Sequence, residues 1–314
     1  MPRTTLFESL RLPLIAAPMF LVSGPDLVIA ACRAGIVGSF PTPNCRTLDQ
    51  LEEWMDRIDG AVGSRGGNLP WAVNLIVHRT NTRLDDDLAI VLRYKPPIVI
   101  TALGSPARIV EAVQAYGGIV LADISTLLHA RKAAAVGVDG LVLVSAGAGG
   151  HTGTITPFAF IPAVREFFDG LIVMAGGVSG GRGIAAARAL GADLVYAGTR
   201  FIASAQSAAP DDYKTMLVDA TVESLVPTAA LTGALANMLR PSIERAGLDP
   251  DKLGAGLKPD FSEGALFNRP WKHIWSAGHG VGTITAVETV ADIVDRWEAE
   301  YRGAIRALAA SGNG

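Results

Sequence analysis

The sequence predicts a (β/α)8 TIM barrel with a C-terminal helical cap, on three observations. Short apolar runs alternate with longer amphipathic ones until eight candidate strands have been counted. The runs are continuous rather than alternating in polarity, as expected of parallel strands buried on both faces. The repeat of roughly 25 residues or fewer suits a closed barrel better than an open doubly wound sheet, which is the structural alternative.

In order, the strands fall at 13–18, 35–40, 71–75, 98–101, 119–123, 140–145, 171–175 and 194–197. Helices are expected at 25–34, 47–58, 84–94, 106–116, 125–135, 157–168 and 183–190. Thr47 is a natural N-cap, since its hydroxyl can accept from the first turn. Pro106 lies in the first turn of its helix, where the missing N–H removes no bond. The whole chain, 1–314, is expected to be a single domain, with a barrel core at about 12–203 and an extension at 204–314. The extension holds a Gly- and Pro-rich stretch at 245–260 and an amphipathic helix at 287–308, and reads as a cap and an extra helical layer.

Composition narrows the function classes. Of 314 residues 49% are hydrophobic and 18% charged, which suits a large core. A net charge of -3 gives no electrostatic case for nucleic acid. Cys32 and Cys45 have neither disulfide density nor metal-ligand spacing, so a reducing cytoplasm is expected. Arg3, Glu8 and Arg11 break the N-terminal apolar stretch, which is therefore no signal peptide. The longest uncharged stretch, 140–164, is too interrupted by glycine and proline to span a membrane.

In a barrel of this kind the chemistry belongs to the loops at the carboxyl ends of the strands. Two of these read as phosphate grips. Ala175-Gly-Gly-Val-Ser-Gly-Gly-Arg-Gly183 joins a buried strand to a helix, so its N–H groups and the helix dipole can meet an anion. Ala197-Gly-Thr-Arg-Phe201 follows the next strand, and Thr199 offers a hydroxyl. Their adjacency in the last two strand–helix loops outweighs the plainer reading as tight turns. Ser145-Ala-Gly-Ala-Gly-Gly-His-Thr-Gly153 places His151 at a strand's carboxyl end within a flexible glycine backbone. An imidazole there suits proton transfer near neutrality.

The other histidines carry less. His78 and His129 read as loop and helix-surface residues, and His273, in Arg269-Pro-Trp-Lys-His273, has no obvious partner. His279, in the turn Trp275-Ser-Ala-Gly-His-Gly-Val-Gly282, is a candidate substrate-facing or lid residue. No histidine–carboxylate spacing resembles a metal site, no Gly-x-Ser-x-Gly elbow occurs, and Lys132 and Lys258 lack Schiff-base surroundings.

Taken together, Ala16-Ala-Pro-Met19, Val73-Asn74-Leu75, Ala148-Gly-Gly-His-Thr-Gly153, Ala175-Gly-Gly-Val178 and Gly198-Thr-Arg-Phe201 resemble the nitronate monooxygenase family. That family was formerly called the 2-nitropropane dioxygenases, and flavin-dependent enoyl-acyl-carrier-protein reductases are its near relatives. The likeness covers roughly residues 12 to 285. It implies a metal-free flavoprotein barrel holding FMN. Pro18 and Met19 would lie against the flavin ring, Asn74 at its edge, and Gly149 and Gly150 beside it. Gly176, Gly177, Val178, Gly198 and Thr199 would hold the phosphate, and His151 matches the active-site histidine. The implied reaction is oxidation of an alkyl nitronate by molecular oxygen to a carbonyl compound and nitrite, without nucleic acid or membrane partners; whether the chain forms a homo-oligomer stays open.

Two residues depart from the pattern. Asp123 lies where some relatives carry a lysine near the flavin pyrimidine, and a carboxylate there would disfavour an anionic reduced flavin unless protonated or screened. His279 occupies a turn where relatives often carry glutamine. An NAD(P)H-dependent reductase of a quinone or enoyl thioester is the alternative activity. A non-catalytic ligand-binding barrel is a third reading, and it would leave His151 idle.

Overall fold

The structure is a computed structural model and describes residues 5–254 and 273–311. Lys258, the last part of the 245–260 stretch and the start of the run ending at His273 lie outside the described residues. The barrel strands are β1 (Leu14–Ala16), β2 (Gly38–Pro41), β3 (Trp71–Ile76), β4 (Ile98–Ala102), β5 (Ile119–Ile124) and β6 (Gly140–Val144). A two-residue strand, β7 (Gly150–His151), belongs to a second sheet, and the barrel resumes with β8 (Leu171–Ala175) and β9 (Leu194–Ala197). Every neighbouring pair is parallel, from β2 alongside β3 to β9 alongside β1. The ring closes between β1 and the approach to β2, where Ala16 N donates to Val37 O (2.8 Å) and Val37 N to Leu14 O (3.0 Å).

The continuous apolar runs divide by parity, as the two-residue period of a strand requires. Ile98, Ile100, Ile119, Leu121, Leu194 and Tyr196 point into the barrel, whereas Val99, Val120 and Val195 point out against the helices. Parity also decides what stands at the carboxyl end: Asn74, two residues past Ala72, and Asp123, two past Leu121, lie on inward positions. At the other end a short helix, α1 (Thr5–Glu8), brings Leu6 and Phe7 against the interior cluster and plugs the barrel.

The outer layer comprises α2 (Pro25–Arg33), α3 (Leu48–Ala61), α4 (Leu84–Tyr94), α5 (Ala107–Gln114), α6 (Leu127–Ala135), α7 (Pro157–Arg165) and α8 (Gly181–Ala189). Thr47 is the expected N-cap, accepting from Gln50 N (3.1 Å), and Pro106, expected in the first turn of α5, stands one residue earlier at its N-cap. After β9 come α9 (Thr199–Ile202), α10 (Asp211–Asp219), β10 (Leu225–Thr228), β11 (Ala236–Leu239), α11 (Arg240–Arg245) and α12 (Val290–Ser311). Helix α12 starts three residues later than the sequence predicts, because Thr289 caps it by accepting from Asp292 N (3.2 Å). Its buried face, Val290, Ile293, Val294 and Trp297, packs against α8 and α2. That is the place of the eighth barrel helix, so residues between β9 and α12 form an insertion in the last β/α unit. The crossing with α8 is close: a β-carbon at Gly181 would stand 1.9 Å from Trp297 O.

The insertion is not purely helical. β10, β11 and β7 form an antiparallel sheet in which Ala236 opposes His151 and Asn237 opposes Gly150. The loop expected around His151 is therefore partly a strand, fixed from outside the barrel. No helix among the described residues is long and apolar enough to cross a membrane.

Candidate active site

A cavity of about 1330 Å³ opens at the carboxyl ends of the barrel strands. Pro18, Met19, Asn74, Asp123, Gly149, Gly150, His151, Gly176, Gly177, Val178, Gly198 and Thr199 all line it. Residues drawn from six separate strand ends thus meet around one space. His279 is not on its wall. It is exposed, and its backbone N–H donates to Gly147 O (3.0 Å) while its ring lies against Gly147. His78, His129, Lys132 and His273 do line the cavity.

His151 is half-buried at the rim, on the short strand held by β11. Burial lowers its pKa from the ordinary 6.5, so the imidazole is neutral at pH 7. The strand is anchored again one residue on, where Thr152 N donates to Leu235 O (3.0 Å). Buried Asn237 donates through Nδ2 to Ala148 O (2.8 Å), fixing the backbone just before the histidine.

The two glycine loops follow neighbouring strands, β8 and β9, and pack beside the 147–149 segment, where Gly177 N donates to Gly147 O (3.2 Å). Gly177 has φ +71, a left-handed conformation, and a β-carbon there would project into open space. That opening leaves room for a ligand against the α-carbon side of the loop. At Gly149 the reason for glycine differs: a β-carbon would stand 2.7 Å from Gly278 N. Thr199 Oγ1 accepts from Gly278 N (2.9 Å), which leaves its hydroxyl proton to donate elsewhere. Behind this loop Arg200 is only 4% exposed; it pairs with Glu288 and donates through Nη1 to Ala203 O (3.1 Å). The last strand–helix loop is thereby tied to the segment leading into α12.

The floor carries two orphaned polar atoms. Oδ1 of Asp123 and the hydroxyl of Tyr196 are buried without a hydrogen-bond partner. Burial raises the Asp123 carboxyl to about 7. Burial, reinforced by the nearby Asp123, raises the Tyr196 phenol well above its ordinary range.

Three residues on the wall or behind it escape the sequence reading. Tyr213 and Trp275 line the cavity and stack with ring centroids 4.7 Å apart, and the Arg245 guanidinium lies 3.6 Å over the other face of Trp275. Nothing in the sequence joins residues so far apart. Asn237 had a signal, because an amide in the middle of Ala236-Asn-Met-Leu239 is out of place in a buried run unless it is satisfied.

Comparison with known proteins agrees with this geometry. The family model described as nitronate monooxygenase matches residues 2–297. A nitronate monooxygenase of Paraburkholderia phytofirmans is 28% identical, with 94% of this chain and 94% of that protein aligned. A (3aS,4S,5R,7aS)-5-hydroxy-7a-methyl-1-oxo-octahydro-1H-indene-4-carboxyl-CoA dehydrogenase of Rhodococcus jostii is 31% identical, covering 78% of this chain and 70% of its own length. Among solved structures, a nitroalkane oxidase from Streptomyces ansochromogenes superposes with a TM-score of 0.83 at 26% identity, covering 96% of this chain and 99% of its own.

Proposed function

This chain belongs to the nitronate monooxygenase family of oxidoreductases, and from that premise we propose that it oxidises alkyl nitronates with molecular oxygen, using FMN, to a carbonyl compound and nitrite. The observation that carries the reading is a strand-anchored imidazole, kept neutral by burial, in the same cavity as two glycine-rich strand–helix loops.

The residues present fit FMN. The cavity exceeds the ~300–1,000 Å³ of ordinary small-molecule pockets, which leaves room for a cofactor and a substrate together. Gly176, Val178, Gly198 and Thr199 would hold the phosphate through backbone N–H groups and the Thr199 hydroxyl, and Gly177, whose own N–H goes to Gly147 O, would leave room for it. Pro18, Met19, Gly149 and Gly150 would border the ring, with Asn74 and Asp123 supplying polar contacts at its edge. When bound, FMN supplies the electron transfer between the organic anion and oxygen.

His151 supplies the proton chemistry. Its neutral ring accepts the α-proton of a nitroalkane, and the C–H electron pair passes into the nitro group to give the nitronate. The resulting imidazolium then faces an anion, which holds the nitronate in place. Pairing with β11 fixes the backbone that carries the ring. We take the protein to be one domain working in a reducing cytoplasm, consistent with its buried free thiols at Cys32 and Cys45.

The CoA-linked name of the Rhodococcus relative favours a second reading, an NAD(P)H-dependent reductase of a quinone or enoyl thioester. The purified protein is expected to be yellow with bound FMN. Mixed anaerobically with propionate-3-nitronate, its flavin absorbance should bleach within the turnover time. Bleaching by NADH and not by the nitronate would select the reductase, and a colourless protein that takes up no FMN would end both readings.

Gly177→Ala tests the phosphate assignment. An L-residue at φ +71 is strained by about 1–2 kcal/mol, and its methyl enters the space assigned to the phosphate. FMN affinity is expected to fall by about tenfold or more, read as Kd by fluorescence titration, with the fold retained by circular dichroism. Unchanged affinity would place the phosphate elsewhere.

A further inference from the structure

Asp123 ends β5 on an inward position, and Tyr196 reaches the same space from β9. Both carry a buried polar atom with no hydrogen-bond partner, in a barrel whose other inward residues at this level are apolar or amide. Buried polar groups are kept when something satisfies them, and Asp123, half-buried, lines the cavity with Tyr196 beside it. No ion pair reaches Asp123 among the described residues. The titratable groups sharing its cavity are Tyr196 on β9, Tyr213 on α10, His151 on β7, His129 and Lys132 on α6, with His78 and His273 in loops. Asn74 on β3 turns its amide onto Ile100 O (3.3 Å), and Thr101 on β4 donates to Leu121 O (3.2 Å). Neither is a charge that could hold a carboxylate.

We propose that Asp123 serves the bound cofactor as a neutral carboxylic acid, donating its proton in a hydrogen bond to an acceptor atom of the flavin ring; this rests on the FMN reading above. An ionised carboxylate would set a bare charge against the electron-rich edge of the ring, whereas the acid form satisfies both partners. A carboxyl in an apolar site can remain protonated at pH 7 and act as a donor. Burial raises Asp123 in that direction, to about 7 in the free site, and a hydrogen bond made by the acid form raises it further.

The consequence is proton-linked cofactor binding. Below the carboxyl's free-site value the acid form is already present and FMN affinity is flat. Above it each binding event must take up a proton, so Kd should rise towards tenfold per pH unit. Asp123→Asn keeps a donor of the same shape and removes the proton, so its profile should stay flat. FMN titrations of the flavin-free full-length protein and of this variant, between pH 6 and 9, should therefore diverge. Titration of the FMN phosphate acts on both proteins alike and cancels in their ratio. The wild-type infrared difference spectrum, FMN-loaded minus flavin-free at pH 7, should also shift a protonated-carboxyl band to lower frequency, a readout independent of how the variant folds. Parallel pH profiles, or no change in the carboxyl region on loading, overturn the role of Asp123 while FMN still binds. Failure of both proteins to take up FMN at any pH overturns the FMN reading, and this role with it.

Discussion

Replacing His151 by asparagine should lower turnover of a neutral nitroalkane by about two to four orders of magnitude, with FMN still bound. Asparagine can keep the backbone pairing with Ala236, so the strand stays in place and only the proton acceptor is lost. A pre-formed nitronate needs no α-proton removed, and the loss measured with it should be much smaller. That difference separates a base from a residue that merely orients the anion, for which both substrates would suffer equally. The pH profile follows from burial: the imidazole titrates below 6.5. Turnover of the nitroalkane should therefore climb with pH through a value under 6.5 and level off by neutrality. Unaltered turnover in His151→Asn, or loss of flavin from it, would remove the histidine from the mechanism.

Arg200→Ala should destabilise the protein by about 3 kcal/mol, the low end of what breaking a buried ion pair costs. The arginine is 4% exposed and Glu288 has a second partner in Arg296, which softens the loss without abolishing it. For a chain of this length that corresponds to roughly 5 °C in melting temperature. Burial works against the Glu288 carboxylate, but hydrogen bonds and charge from Arg296 and Arg200 outweigh it and hold it below its usual range. Its stabilisation is thus present above the unfolded-state value and lost as pH falls through the folded value, so the gap between variant and wild type should narrow in acid. Arg200→Lys keeps the charge but not the planar fork and should fall between. Thermal melts at two pH values decide it; an unchanged melting temperature would mean that the loop after β9 needs no anchor.

The sequence made the barrel legible because a strand buried on both faces leaves a mark that little else does: five or so apolar residues in a row, ended by glycine or a polar residue. All eight runs became strands, with ends shifted by at most three residues. The glycine loops and His151 were legible for a related reason, since a strand's carboxyl end is where this architecture places open backbone. Illegible were the contacts made between distant segments. Leu225-Val-Pro-Thr228 and Ala236-Asn-Met-Leu239 are short and one carries proline, so neither reads as a strand until they pair with each other and the second takes a Gly-His dipeptide on its other edge. Tyr196 reads as one more residue of an apolar strand, and only the assembled interior leaves its hydroxyl unpaired beside Asp123.

The position of α12 bears on how the molecule is made. Its buried face fills the gap between α8 and α2, yet it follows the whole of the insertion in the chain. During synthesis the last gap in the helical ring therefore stays open, with the apolar flanks of α2 and α8 wet, until α12 has emerged. A contact joining the first and last β/α units has a high sequence separation and forms late. Until α12 docks, those apolar flanks are an aggregation hazard for the nascent chain, whereas the insertion that carries the partner strand of His151 already has its own ties to the barrel loops, Asn237 to Ala148 and Gly278 to Thr199.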